Sequence, residues 1–215
     1  MSTLADRLRL IVITDPSCGE GREIIDVVRA ALRGGAPSIQ LRGKAQPARE
    51  QVELARALLA ETRPAGALLF VNDRLDVALA AGADGVHLGQ DDLPVDAARR
   101  IVPGGFLVGI SAETPELALA AERGGADYVG VGPVFATGSK ADAGDAVGCE
   151  RIAEVAAAVR IPVVAIGGID AANADAVARA GAAGVAVISA VMRAADPERA
   201  TRELLRTVTG STPSR

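Results

Sequence analysis

The sequence Gly-Ala-Asp-Gly-Val at residues 82–86 decides the fold, because close variants of it recur along the chain. The variants are Gly-Ala-Pro-Ser-Ile at 35–39, Gly-Ala-Asp-Tyr-Val at 125–129 and Gly-Ala-Ala-Gly-Val at 181–185. Each begins with a glycine suited to the left-handed conformation that ends a helix, and each then enters a strand. The intervals between the leading glycines are long enough for two strand–helix units each. The chain therefore reads as four quarters of one barrel.

Short apolar runs alternate with segments of helical period along the whole chain. The predicted strands are Leu10–Thr14, Ser38–Leu41, Leu68–Val71, Gly85–Leu88, Leu107–Ile110, Tyr128–Val131, Val163–Ile166 and Gly184–Ile188. The predicted helices are Gly21–Arg33, Pro47–Arg63, Arg74–Ala81, Pro94–Ile101, Pro115–Arg123, Arg151–Val159, Ala171–Ala180 and Pro197–Leu205. Eight such units with no linker predict an α/β protein with a single (β/α)₈ (TIM) barrel over residues 1–208.

Two further features concern the organisation of the chain. Residues 209–215 form a polar tail, which we expect to be disordered. A doubly wound open sheet is the alternative fold, but no Gly-x-Gly-x-x-Gly follows the first strand. The closest match, Gly19-Glu20-Gly21, lacks the third glycine.

Composition excludes several classes of protein. The net charge is −4 and aromatic residues make up only 2% of the chain, so no basic, aromatic-lined face is available for nucleic acid. No apolar run is long enough to span a membrane, and no signal-peptide layout is present. Cys18 and Cys149 do not form a secreted disulfide framework. We therefore expect a cytoplasmic enzyme, whose oligomeric state the sequence leaves open.

Lysine is rare here, since Lys44 and Lys140 are the only lysines among 23 basic residues. Both follow predicted strands, where barrel enzymes place their active sites. Alternation along the second strand directs Gln40, Arg42 and Lys44 to one side. Arginine suits a forked contact with phosphate and lysine a point charge, although a solvated strand end is the alternative.

The third and fourth strands end in acidic residues. Asp73 follows the third strand and Asp92 the fourth, and either carboxylate could simply cap the next helix. Facing Arg42 and Lys44, the two also match a Mg²⁺–diphosphate site, since Mg²⁺ takes one or two carboxylates plus substrate oxygens. His87 ends the fourth strand, where a core or ring-stacking role competes with a substrate contact.

The remaining strand ends carry hydroxyls, glycines and the second lysine. Ser111 ends the fifth strand, and a long Gly-rich loop with Thr137, Ser139 and Lys140 follows the sixth, as expected of an anion-binding loop or a lid. Gly168 follows the seventh strand, and Ile188 and Ser189 end the eighth, the usual phosphate site of these barrels. The carboxyl end of the predicted barrel would then bind both a diphosphate and a monophosphate. We find no Ser/His/Asp relay or Cys–His pair, so hydrolytic nucleophilic catalysis is not expected.

In combination, these motifs resemble the thiamine-phosphate synthase family over nearly the whole chain. They are Gln40-Leu41-Arg42-Gly43-Lys44, Val71-Asn72-Asp73-Arg74, Asp84 through Asp92, Gly132-Pro133-Val134-Phe135, Ile166-Gly167-Gly168-Ile169 and Ile188-Ser189. The resemblance implies a metal-dependent coupling of hydroxymethylpyrimidine diphosphate with hydroxyethylthiazole phosphate, releasing pyrophosphate. It also implies that the carbon–oxygen bond breaks first.

The resemblance implies a role for each matching residue. Gln40 would contact the pyrimidine, and Asp73 and Asp92 would bind Mg²⁺. The diphosphate would be held by Arg42, Lys44, Asn72, Ser111 and Lys140. The thiazole phosphate would be held by Thr137, Ser139, Gly168, Ile188 and Ser189. Of these, we expect Arg42, Lys44, Ser111 and Lys140 to act catalytically by stabilising the leaving diphosphate.

Two positions depart from the family pattern, and two other functions compete. Glu113 stands where the family commonly has histidine, and we expect its side chain to face solvent or pair with an arginine. Ser139 replaces a common threonine and keeps the hydroxyl. A thiazole tautomerase-like relative would not need the diphosphate and metal residues that are present here. A non-enzymatic phosphate-binding barrel is the other alternative.

Overall fold

Eight parallel strands close into a barrel in chain order. The structure, a computed structural model, describes residues 3–16, 21–44, 46–138 and 145–211. The strands are β1 (Leu10–Ile13), β2 (Ser38–Leu41), β3 (Leu68–Asn72), β4 (Gly85–Leu88), β5 (Leu107–Ser111), β6 (Tyr128–Val131), β7 (Val163–Ile166) and β8 (Gly184–Val187). Each pairs with the next and β8 pairs with β1, which confirms the predicted (β/α)₈ barrel.

Helices surround this barrel between consecutive strands. They are α1 (Leu4–Leu8), α2 (Ile24–Arg33), α3 (Ala48–Thr62), α4 (Leu75–Ala81), α5 (Val95–Ile101), α6 (Pro115–Gly124), α7 (Gly148–Ala158), α8 (Ala174–Arg179), α9 (Ser189–Met192) and α10 (Pro197–Ser211). In the part of the chain that the structure describes, no helix is both long enough and apolar enough to cross a membrane.

The predicted and observed helices differ mainly at their ends. Helix α8 begins three residues later than predicted because a local turn replaces its first turn: the Asp170 carboxylate accepts from the Ala172 amide, and the Asn173 side chain accepts from the Asp170 amide. Helix α10 continues to Ser211, three residues past the expected boundary at Val208. Residues 212–215 lie outside the described residues. Helix α1 was not expected, since five residues are too few to show a helical period.

The repeated glycines adopt the conformation that the sequence predicts. Gly35, Gly82, Gly125 and Gly181 all have positive φ, between 76° and 102°. A side chain with a Cβ is disfavoured there, so glycine lets the chain turn sharply from helix to strand. The repeat is thus a turn that starts β2, β4, β6 and β8.

Large and small residues alternate inside the barrel. Phe70 on β3 meets Tyr128 on β6 edge to face, with ring centroids 5.5 Å apart. Neighbouring strands make room for both rings with glycine: a Cβ on Gly85 would lie 2.7 Å from the Phe70 ring, and one on Gly109 would lie 2.1 Å from Tyr128 Cζ. Such interlocking fills the barrel and supports the residues at its carboxyl end.

Candidate active site

A cavity of about 210 Å³ opens at the carboxyl ends of the strands. Nine of the residues that the sequence predicts for the site line it: Lys44, Asn72, Asp73, His87, Ser111, Thr137, Gly168, Ile188 and Ser189. They come from seven of the eight strand ends, so only the closed barrel brings them together. Ser139 and Lys140 lie outside the described residues, and their predicted roles stay predictions.

Gln40 lies one layer deeper than the cavity floor. Its side chain is 3% exposed and borders a small space of about 20 Å³ inside the barrel, together with His87 and Ser111. The prediction placed Gln40, Arg42 and Lys44 on one side of the second strand; Gln40 borders this inner space, and Lys44 lines the cavity.

Arg42, whose role at the diphosphate stays a prediction, is not among the residues that line the cavity. Its Nη1 lies 3.6 Å from the Asp15 carboxylate, and both side chains are largely buried, at 13% and 8% exposure. The buried Nε has no hydrogen-bond partner among the described residues. The guanidinium is thus held beside the site by Asp15 and retains donor capacity for an anion.

The backbone of Asp73 is strained where β3 ends. Its φ is +63°, the one positive value at a non-glycine residue in the described ranges. The Asp73 amide donates to the carbonyl of His87 at 2.8 Å, and the Arg74 amide reaches back to the Asn72 carbonyl at 2.7 Å. Helix α4 has Arg74 as its N-cap, and the Arg74 side chain makes no cap hydrogen bond, so Asp73 lies one residue before the cap position. Strain at such a site is typical of residues placed for function.

Asp92 lies next to the cavity rather than in its lining. Its Oδ2 accepts from the Gly89 amide at 2.7 Å, and Gly89 does line the cavity. Helix α5 begins after Pro94 without a side-chain cap, so Asp92 does not cap it. The carboxylate instead closes the turn that follows β4, on the strand adjacent to Asp73.

His87 connects two hydroxyl groups across the barrel. Its Nδ1 lies 3.0 Å from the Tyr128 hydroxyl, and its Nε2 lies 3.1 Å from Ser111 Oγ. Tyr128 is 1% exposed, and burial, aided by the charge of Asp127, raises the pKa of its phenol well above its usual range. His87 thus links Ser111 to a phenol, whereas the histidine of a Ser/His/Asp relay links its serine to a carboxylate.

The loops after β6 and β7 are joined by backbone hydrogen bonds. The amides of Val134 and Phe135 donate to the carbonyls of Ile166 and Gly167. Gly167 and Gly168 have φ of +99° and +63°, and a Cβ on Gly168 would lie 2.7 Å from the Ala136 carbonyl oxygen. This packing brings Thr137 and Gly168 to one wall, where α9 begins at Ser189.

Glu113 lies exposed at the rim of the cavity. Arg151 Nη1 donates to its backbone carbonyl at 2.9 Å, whereas Arg151 Nε pairs with Glu154. Of the two outcomes expected for this side chain, the structure shows the solvent-facing one. Thr114 caps helix α6, as predicted, by accepting from the Leu117 amide.

Sequence reasoning missed two residues that support the site. Asp15 holds Arg42, and Tyr128 holds His87. Tyr128 offered a signal, because it is the only tyrosine in a chain with few aromatic residues. Asp15 offered none, since an aspartate after a strand is common and its partner comes from the neighbouring strand.

A closed parallel barrel with this polar cavity defines the class of protein: a (β/α)₈-barrel enzyme with its reaction centre at the carboxyl ends of the strands. Residues 10–191 match the profile of the thiamine monophosphate synthase family. The chain belongs to that family and is an enzyme of thiamine phosphate synthesis.

Individual relatives agree with this assignment. The chain is 57% identical to a thiamine-phosphate synthase of Roseiflexus castenholzii over 193 residues, covering 90% of this chain and 85% of the relative. It is 54% identical to one of Moorella thermoacetica over 200 residues, covering 93% and 95%. The solved thiamine phosphate pyrophosphorylase of Pyrococcus furiosus superposes with a TM-score of 0.88 at 45% identity, covering 97% of this chain and 99% of that one.

Proposed function

We propose that this enzyme couples hydroxymethylpyrimidine diphosphate with hydroxyethylthiazole phosphate in a Mg²⁺-dependent, dissociative reaction that releases pyrophosphate. One observation carries the proposal: a single cavity has two polar walls. Lys44, Asn72, Asp73 and Ser111 come from β2 to β5, and Thr137, Gly168 and Ser189 come from β6 to β8. Because the strands follow chain order around the barrel, the two sets face each other across the cavity.

The first wall suits the diphosphate. Lys44 supplies a positive charge, while Asn72 and Ser111 supply neutral donors. Arg42 adds a guanidinium with unused donor capacity beside this wall. By resemblance, Lys140 would also hold the diphosphate, and Gln40 would contact the pyrimidine.

The second wall suits the smaller phosphate ester. Two glycines of positive φ bring backbone close to the cavity, and the hydroxyls of Thr137 and Ser189 supply donors. Ile188 contributes backbone and an apolar surface. By resemblance, Ser139 belongs to this wall too. The thiazole ring would then lie between the two phosphate sites.

Asp73 and Asp92 would hold the metal ion. In the described ranges, no cluster of three or more metal-ligating side chains is present. Two carboxylates on adjacent strands suit Mg²⁺, which is commonly bound by one or two carboxylates, with substrate phosphates and waters completing the shell. Asp73 lines the cavity, and the Gly89 amide orients Asp92 on the next strand. When bound, Mg²⁺ would neutralise part of the diphosphate charge.

The reaction needs no general base from the protein. The carbon–oxygen bond of the pyrimidine methylene breaks, and its electron pair leaves with pyrophosphate. The lone pair of the thiazole nitrogen then forms the new carbon–nitrogen bond. What this chain must supply is therefore donors and cations fixed around the leaving group, and the first wall supplies them.

An assay with both substrates, with and without Mg²⁺, tests the proposal. We expect equal amounts of thiamine phosphate and pyrophosphate, formed only with the metal. A normal secondary isotope effect with a dideuterated pyrimidine methylene would support early carbon–oxygen cleavage. Substrate binding without turnover would favour the non-enzymatic barrel, and conversion of a thiazole phosphate alone would favour the tautomerase alternative.

A further inference from the structure

We propose that Tyr128 fixes the tautomer of His87, so that His87 Nε2–H donates to Ser111 and the hydroxyl hydrogen of Ser111 points into the cavity. Tyr128 and His87 are then positioning residues, and Ser111 is the group that touches the leaving diphosphate. The inference deepens the proposed function and rests on it for the identity of that anion.

The direction of the first hydrogen bond follows from burial. Tyr128 is 1% exposed, and the hydrogen bond of its hydroxyl is to His87 Nδ1, at 3.0 Å. A buried hydroxyl hydrogen without an acceptor is unfavourable. The phenol therefore donates, and Nδ1 accepts. The raised pKa of the phenol keeps that hydrogen in place.

The direction of the second hydrogen bond follows from the first. In a neutral imidazole one nitrogen accepts and the other carries hydrogen. With Nδ1 accepting, Nε2 carries the hydrogen and donates to Ser111 Oγ at 3.1 Å. The single hydrogen of that hydroxyl must then point elsewhere, and Ser111 lines the cavity.

This polarity is the reverse of that in a hydrolytic triad. There a carboxylate accepts from Nδ1–H, which leaves Nε2 able to take the serine proton. Here a phenol donates to Nδ1, so Nε2 already carries a hydrogen and cannot take another as a neutral base. Ser111 is consequently an oriented donor and not a nucleophile. Phosphate oxygens only accept hydrogen bonds, so an oriented donor matches the leaving diphosphate.

Two strand glycines leave room inside the barrel for the rings of His87 and Tyr128. A Cβ on Gly130 would lie 2.8 Å from His87 Cε1, and one on Gly109 would lie 2.1 Å from Tyr128 Cζ. Glycine is disfavoured inside strands, where it often marks a close approach. The Ser111 carbonyl is also anchored, because it accepts from the Gln90 side chain.

The composition of the chain makes the tautomer directly measurable. His87 is the only histidine and Tyr128 the only tyrosine. In a tag-free chain with ¹⁵N-labelled histidine, the ring nitrogens give one unambiguous pair of NMR signals. We expect the Nε2–H tautomer near neutral pH, and loss of that preference in Tyr128→Phe. An Nδ1–H or doubly protonated ring in the unaltered protein would overturn the inference.

Kinetics test the link to Ser111 through a double-mutant cycle. We expect Tyr128→Phe to lower kcat/KM for the diphosphate about tenfold, the lower end of the effect of outer-shell partners, and to leave KM for the thiazole phosphate unchanged. In a Ser111→Ala background the same change should cost less than about twofold, because the two residues act as a unit. Fully additive losses would overturn the inference.

Ser38→Ala is the matched control for loss of a buried hydroxyl. Ser38 is fully buried at the opposite end of the barrel, where its hydroxyl donates to the Arg7 carbonyl at 2.6 Å. It should lower stability without changing the kinetics or the His87 signals. If the unaltered chain shows no turnover with both substrates, the proposed function fails, and the NMR result alone decides this inference.

Discussion

At the scale of single residues, the site depends on side chains whose geometry is set by a neighbour. Asp15 holds Arg42, Gly89 orients Asp92, and Tyr128 holds His87. The sequence predicts nine of the residues that line the cavity, because strand ends and rare residue types mark them. It does not predict their partners, since each partner follows from register or from packing across the barrel.

Asp73→Asn separates the charge of Asp73 from its unusual backbone. Asparagine also tolerates positive φ, so the turn after β3 should survive and Tm should hardly change. We expect kcat/KM to fall at least ~100-fold at saturating Mg²⁺, beyond the usual loss for an outer-shell partner. Asp91→Asn, an exposed neighbour of Asp92, is the control and should stay active. Near-normal turnover of Asp73→Asn would mean that the residue serves only the turn.

Tyr128 should make the protein sensitive to alkali. Its folded pKa is raised, so above about pH 10 only the unfolded chain loses the phenol proton. The free energy of unfolding should then fall by ~1.4 kcal/mol per pH unit, a slope that Tyr128→Phe removes. With one tyrosine and no tryptophan, tyrosinate absorbance reports this group alone. Tyrosinate forming before the loss of secondary structure would show that the phenol is accessible in the folded barrel.

At the scale of elements, the strands were predicted more accurately than the helix starts. The bounds of β2, β4, β6 and β7 agree with the prediction, since an apolar run with a turn at each end is a local signal. Helices α2 and α8 begin three residues later than predicted. For α8 the reason is a side-chain turn that competes with the helix.

The strand glycines give a prediction at this scale. Gly109→Ala should destabilise the barrel by at least ~1–3 kcal/mol, because its Cβ would overlap the Tyr128 ring, which other core residues enclose. The same change at Gly104, in the loop before β5, meets no atom within 4 Å and serves as the control. Chemical denaturation measures both variants. Equal stability of the two would mean that the ring moves aside without cost.

At the scale of the whole molecule, arginine side chains link neighbouring strand–helix units of the barrel by hydrogen bonds to backbone carbonyls. Arg63, the C-cap of α3, donates to the Gly82 carbonyl, and Arg99 of α5 donates to the Gly125 carbonyl. Both acceptors are the glycines that end the following helix. A forked guanidinium can reach several carbonyls at once, which lysine cannot do. The abundance of arginine is therefore partly structural, and the two lysines remain distinctive.

Ligand binding should stabilise the whole barrel. Inorganic pyrophosphate at 100 times its Kd should add ~2.7 kcal/mol, or about 5–10 °C in Tm for a chain of this length. We expect the full shift only with Mg²⁺ present, and a smaller one in Asp73→Asn. Thermal unfolding with pyrophosphate alone, Mg²⁺ alone and both together measures it. An equal shift with and without Mg²⁺ would contradict the metal assignment.

The sequence by itself determined the barrel, the order of its strands and nine of the residues that line the cavity. Those properties are local, because periodicity, capping glycines and strand ends are each read within a few residues. Only the tertiary structure decided that Arg42 lies beside Asp15 and that His87 lies between Tyr128 and Ser111. These contacts join residues far apart in the chain, and they exist because parallel pairing places β1 beside β2 and β5 between β4 and β6.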